Sequence, residues 1–76
     1  MDVNDLLVYA VNESVHMKKD EIFLIKDLFK GYEWNRIPKK DRLLLGTLFL
    51  NHVKKENSHI VPYEKTTSGQ QRYKYI

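Results

Sequence analysis

Three cations crowd the start of one predicted helix: Lys39, Lys40 and Arg42 follow directly on Pro38. In a first helical turn the backbone N–H groups are also free, so a phosphate placed there would meet cations and amides together. Cations at this end oppose the helix dipole by a few tenths of a kcal/mol each. Either a ligand needs them there, or Asp41 and solvent screen them. A second group lies near the end of the sequence, where Lys65, Thr67, Ser68, Gln70, Arg72 and Lys74 alternate short polar side chains with cations. That mixture suits sugar–phosphate contacts and also suits any exposed hairpin tip. Tyr63, Tyr73 and Tyr75 beside Lys74 read either as a stacking platform for bases or as the packed side of the hairpin. The chemistry these groups offer is non-covalent binding of a polyanion.

Covalent and metal chemistry find no comparable support. The chain has no cysteine, which removes disulfides, thiolate zinc sites and cysteine nucleophiles and fits a reducing compartment. His16, His52 and His59 lack metal-ligand spacing, and His52 falls on a core-facing arc. Ser14, Ser58 and Ser68 sit in no nucleophile motif, and three glycines are too few for a phosphate-cradling loop. No enzyme activity, metal or cofactor is expected.

The elements that must position the cations are legible from periodicity. Val3, Leu6, Leu7, Ala10 and Val11 form one buried helical stripe, which predicts a first helix over Val3–His16, capped by Asp2 or Asn4. Glu21–Ile25 is β-branched and aromatic and predicts a single edge strand. Lys26–Lys30 predicts a short second helix stopped by Gly31, and Tyr32–Ile37 a connection with Trp34 and Ile37 folded inward. Pro38 then opens a long helix to Glu56. At about 100° per residue, Leu45, Leu48, Phe49, His52 and Val53 share its buried arc. Lys40, Thr47, Asn51 and Lys54 share the opposite arc, the expected recognition surface. Leu43, Leu44 and Leu50 exceed what one stripe needs; they pack under the hairpin or the first helix, or mark a protein–protein contact. Gly46 within this helix costs about 1 kcal/mol relative to Ala and is expected to admit a neighbouring backbone.

The last segment predicts a hairpin, His59–Thr66 against Gln70–Ile76, turning at Ser68–Gly69. Pairing Tyr63 with Tyr73 and Val61 with Tyr75 would put four apolar residues on one face. Pro62 then demands a free edge or an irregularity. Helix, strand, short helix, long helix and hairpin are the order of an α+β winged helix-turn-helix: three helices plus a small antiparallel sheet with its wing.

Seventy-six residues allow one domain, spanning the whole sequence. A net charge of +3 hides segregation, since residues 1–17 carry three carboxylates and no Lys or Arg. Residues 34–76 carry nine Lys and Arg against Asp41, Glu56 and Glu64, a balance of +6. Such segregation favours a polyanionic partner. The longest apolar run, Leu43–Leu50, is far short of the ~20 residues of a membrane span, and the opening residues lack a signal-peptide pattern. A cytoplasmic protein without a membrane partner is expected.

Phe23-Leu24-Ile25-Lys26-Asp27-Leu28-Phe29, then Trp34, then Arg42-Leu43-Leu44-Leu45-Gly46-Thr47-Leu48-Phe49, and finally Thr67-Ser68-Gly69 through Tyr73-Lys74 run in a recognisable order. Over roughly residues 20–76 this resembles a small winged-helix family of Gram-positive mobile elements, formerly a domain of unknown function. Its members resemble small proteins of staphylococcal cassette chromosomes. One kind binds single-stranded DNA, and a similar one partners an A-family polymerase and lets it begin primers. The resemblance implies a single-stranded-DNA-binding accessory in replication of a mobile element. Two other functions remain open: an interaction subunit docking on a replicative polymerase, primase or helicase, and a sequence-specific duplex DNA regulator. Monomer and dimer are equally compatible with these residues.

Overall fold

A computed structural model describes residues 2–55 and 59–76. Helix α1 (Val3–Ser14) begins where the Asp2 carboxylate accepts the Asp5 N–H at 3.0 Å. It ends two residues short of the predicted His16. Its stripe is as expected: Leu6 and Ala10 are buried, with Val3, Leu7 and Val11 packed around them. Strand β1 (Ile22–Leu24) follows, entered through Asp20 at φ 71°, a left-handed conformation that Asp tolerates better than most residues. Asp20 N–H donates to the Tyr75 carbonyl while Tyr75 N–H donates to the Glu21 carbonyl, so two residues oppose one in a β-bulge.

The second helix is not where the sequence pattern placed it. Ile25–Leu28 is a single 3₁₀ turn, and helix α2 is Gly31–Arg36, the stretch expected to be a connection. Gly31 therefore opens a helix instead of closing one. The reason is local: the Glu33 carboxylate accepts the Lys30 N–H at 3.2 Å, fastening the first turn of α2 from within. Asp27 fastens the 3₁₀ turn in the same way, accepting the Leu24 N–H at 2.9 Å. Ile37 is buried as expected; Trp34 is half-buried against the core, its ring 5.7 Å from Phe29.

The long helix α3 (Lys39–Lys55) starts with the Pro38 carbonyl accepting the Arg42 N–H at 3.0 Å. The predicted extension to Glu56 lies outside the described residues, as does Ser58. Leu45, Phe49 and Val53 are buried, while Leu48 and His52 are half-buried on the flank of that arc. Strands β2 (Ile60–Pro62) and β3 (Arg72–Tyr75) complete a three-stranded antiparallel sheet in the order β1-β3-β2. Three helices packed against this sheet form the expected α+β fold, arranged as a winged helix-turn-helix.

The hairpin register differs from the sequence-based pairing by one residue. Ile60 faces Tyr75, Val61 faces Lys74 and Pro62 faces Tyr73. A one-residue slip reverses faces, so Val61 and Tyr63 lie on the outer face with Arg72 and Lys74, away from Tyr73. Pro62 explains the parity. Tyr63 N–H donates to the Arg72 carbonyl at 2.8 Å and Ile76 N–H to the His59 carbonyl at 2.6 Å. The alternation of an antiparallel ladder then turns the nitrogen of Pro62 away from β3, where its missing proton costs no ladder bond. The turn was placed correctly. Thr66 N–H donates to the Gln70 carbonyl, Gly69 N–H to the Thr66 carbonyl, and Gly69 sits at φ 87°, giving a three-residue loop with a glycine bulge.

Tyr73 joins the layers. It is fully buried on the central strand, 5.8 Å from the Phe23 ring and 4.9 Å edge-on to Phe49 of α3. The packed reading therefore holds for this tyrosine, which offers no free face for stacking. Its hydroxyl is buried without a hydrogen-bond partner among the described residues, and burial pushes its pKa up to about 12. The unfolded chain ionises at the ordinary tyrosine value of about 10, so ionisation favours unfolding between those two values. Denaturant stability should decline as pH rises from about 10 towards 12. Tyr73→Phe should remove that part of the decline and raise neutral-pH stability by about 1 kcal/mol, because an unpaired buried hydroxyl is costly. Paired chemical denaturations across this pH range measure both.

Candidate nucleic-acid interface

A groove of about 570 Å³ runs between α3 and the wing. One wall is the stripe Lys39, Arg42, Leu43, Gly46, Thr47 and Leu50, residues three or four apart that share one flank of α3. The other wall comes from Lys65 and Gln70 of the wing and from Ile25 and Lys26 just after β1. Lys26, Lys39, Arg42 and Lys65 thus border one concavity, and no Asp or Glu is among the described residues lining it. A neighbouring hollow shares Lys26, Trp34, Arg42 and Gln70 and adds Asp27, whose carboxylate is engaged by the Leu24 N–H.

The site residues read from sequence fall into four places. Lys39, Arg42, Thr47, Lys65 and Gln70 come together at the groove. Lys40, Asn51 and Lys54 are exposed on the pole of α3 opposite the core, roughly a quarter-turn from the centre of the groove stripe, and Thr47 shares that pole while also lining the groove. Arg72 and Lys74 lie on the outer face of the sheet, both over the Tyr63 ring, at 5.4 Å and 5.9 Å. Arg72 also donates to the Glu64 carbonyl at 2.8 Å, and Lys74 stands 3.9 Å from Asp20. Thr67 and Ser68 are exposed at the wing tip, where the Thr66 hydroxyl lies 3.1 Å from that of Ser68 and accepts the Gln70 N–H.

Of two sequence expectations for α3, one divides between its alternatives and one needs correction. Leu50 packs against the core, but Leu43 and Leu44 are 66% and 43% exposed and lie under neither the wing nor α1. Gly46 admits no neighbouring backbone: a Cβ built there would meet nothing within 4 Å. It lines the groove instead. Sequence reasoning also missed Lys26, which it placed at the start of the short second helix. The usable signal was topological, because Lys26 directly follows a strand that must pair beside the wing.

The two groove cations on α3 differ in commitment. Arg42 donates through Nε to the Ile37 carbonyl at 2.8 Å and through a terminal nitrogen to the Asn35 carbonyl at 3.3 Å, with its guanidinium 5.5 Å over Trp34. It caps carbonyls at the end of α2 and fixes the α2–α3 corner. Lys39 is exposed and makes no ion pair among the described residues.

Among the described residues no group of three or more His, Cys, Asp or Glu is placed to hold a metal. No helix among them is long and apolar enough to cross a membrane. Residues 9–74 match the family model described as Domain of unknown function (DUF1413). No curated protein and no solved structure matches the chain.

Arg42→Ala should lower stability by about 1–2 kcal/mol through the lost charged hydrogen bonds. Lys39→Ala should stay within about 0.5 kcal/mol of the parent. Urea denaturation of the two variants checks the contrast.

Proposed function

The chain belongs to the DUF1413 family, and we propose that it is a cytoplasmic single-stranded-DNA-binding accessory in the replication of a mobile genetic element. A winged helix-turn-helix fold suits nucleic-acid binding in general. The observation that carries the reading further is the groove bordered by Lys26, Lys39, Arg42 and Lys65 without a lining carboxylate. Low-dielectric walls around cations of one sign concentrate a positive field where a phosphodiester chain would run. The replication role and the preference for single strands rest on the sequence resemblance, which also favours DNA over a small anionic ligand.

Two other readings have specific support. Leu44, 43% exposed on α3 and outside the groove lining, favours an interaction subunit docking on a primase–polymerase complex or a helicase. The exposed pole carrying Lys40, Thr47, Asn51 and Lys54 is what a duplex regulator would insert in a major groove. Competition between oligo-dT and a hairpin duplex separates the duplex reading from the single-strand one. Leu44→Asp separates the docking reading from both, since it should leave oligonucleotide affinity unchanged while abolishing any effect on primer synthesis.

Salt dependence tests the leading reading. If about four phosphates are neutralised, affinity for oligo-dT should fall roughly 50-fold between about 50 and about 200 mM salt, against roughly 150-fold for a duplex. Lys39→Ala/Lys65→Ala should weaken binding at low salt and flatten the slope of log affinity against log salt by one to two units. Affinity indifferent to salt, or a double variant that binds like the parent, would sink the groove as the phosphate path.

A further inference from the structure

Gly46 is the point of departure. A glycine inside a helix costs about 1 kcal/mol relative to alanine, and the fold draws no benefit from it here. Nothing approaches within 4 Å of where its Cβ would be. What the glycine does is bare the α3 backbone midway along the groove, flanked by Leu43 and Leu50 on its own helix and faced by Ile25. Leu43 is 66% exposed. A path for phosphates alone would need neither the bare backbone nor the apolar flanks.

We propose that this groove seats one unpaired nucleobase against the backbone at Gly46, with the strand's phosphates on the rim made by Lys26, Lys39 and Lys65. The inference rests on the nucleic-acid reading above and deepens it by naming the part of the ligand that enters. Beside Gly46 the α3 wall offers Leu43 and Leu50, and the margins of the groove are cationic, the combination that suits a flat, uncharged base on an anionic backbone. A duplex keeps its bases stacked and paired, so it can offer phosphates to the rim but no base to the seat. Trp34 also lines the groove, but its ring is engaged within the fold, with Arg42 over it at 5.5 Å and Phe29 packed at 5.7 Å. Contact with the base comes from the aliphatic side chains beside Gly46 and from the space its missing side chain leaves, which read no particular sequence. Base-general binding of single strands is the result.

The test compares oligo-dT with an abasic oligonucleotide of equal length, which keeps every phosphate and lacks the bases. Both are titrated against the parent, Gly46→Ala and Gly46→Leu. The parent should prefer oligo-dT by about 10-fold, the scale of one base contact. Gly46→Leu, which fills the seat, should bring oligo-dT down to the abasic level and leave abasic binding and its salt dependence unchanged. Gly46→Ala should melt higher than the parent and show an intermediate preference, which separates occlusion of the seat from damage to the fold. Equal binding of the two oligonucleotides by the parent, with salt dependence intact, would overturn the base seat and leave the phosphate path standing. A Gly46→Leu protein that keeps the preference would overturn it as well. Failure to bind either oligonucleotide would remove both the seat and the nucleic-acid reading.

Discussion

The contact of Tyr73 with Phe49 holds the sheet and the long helix together. Tyr73 is on the central strand, which has a neighbour on each side, and its ring meets α3 edge-on at 4.9 Å. The sheet is thereby locked to the long helix at its most buried point, with Phe23 of β1 closing the other side. Because the loop after β2 returns through β3, the position of the wing relative to α3 follows from this one packing interaction. The groove is the space left between them. In a chain of this size, where buried area is scarce, one aromatic cluster serves both as core and as the anchor of the sheet on α3.

The same contact decides which cations can share a surface. With Tyr73 turned inward, strand alternation turns Arg72 and Lys74 outward, onto the far face of the sheet, where Tyr63 lies beneath them. Lys65 escapes this constraint because it belongs to the irregular part of the hairpin, beyond the paired residues. The basic residues of the C-terminal half are thus divided by backbone geometry into a groove set, a helix-pole set and an outer-sheet set. A charge count along the sequence reads them as one.

The parts legible in the sequence were those with strong periodicity. The stripe of α1, the buried arc Leu45–Phe49–Val53, the edge strand and the Ser68–Gly69 turn all follow from patterns that local physics enforces. The second helix was lost because Gly31 has two meanings, stop or start, and only the Glu33 carboxylate on the Lys30 N–H resolves them. The hairpin register was lost because an apolar match of Tyr63 to Tyr73 competes with the demand of Pro62 for an outward-facing nitrogen. The proline prevailed, since a cation can cover an exposed tyrosine ring but nothing replaces a missing donor. At the site, Lys39, Arg42 and Lys65 were readable as cations near a helix start and a wing. Lys26 and the openness at Gly46 were not, because both depend on how separate segments face each other across space.

The two outer strands of the sheet share one further property. Each could in principle accept an added strand from another molecule, the usual route to fibrillar association. On β2 the solvent-facing row of donors is broken at Pro62, which has none. On β1 the outward Leu24 N–H is already taken by the Asp27 carboxylate at 2.9 Å. Each outer margin thus offers an incoming strand one donor fewer, on β2 through a residue that lacks a proton and on β1 through one whose proton is spoken for.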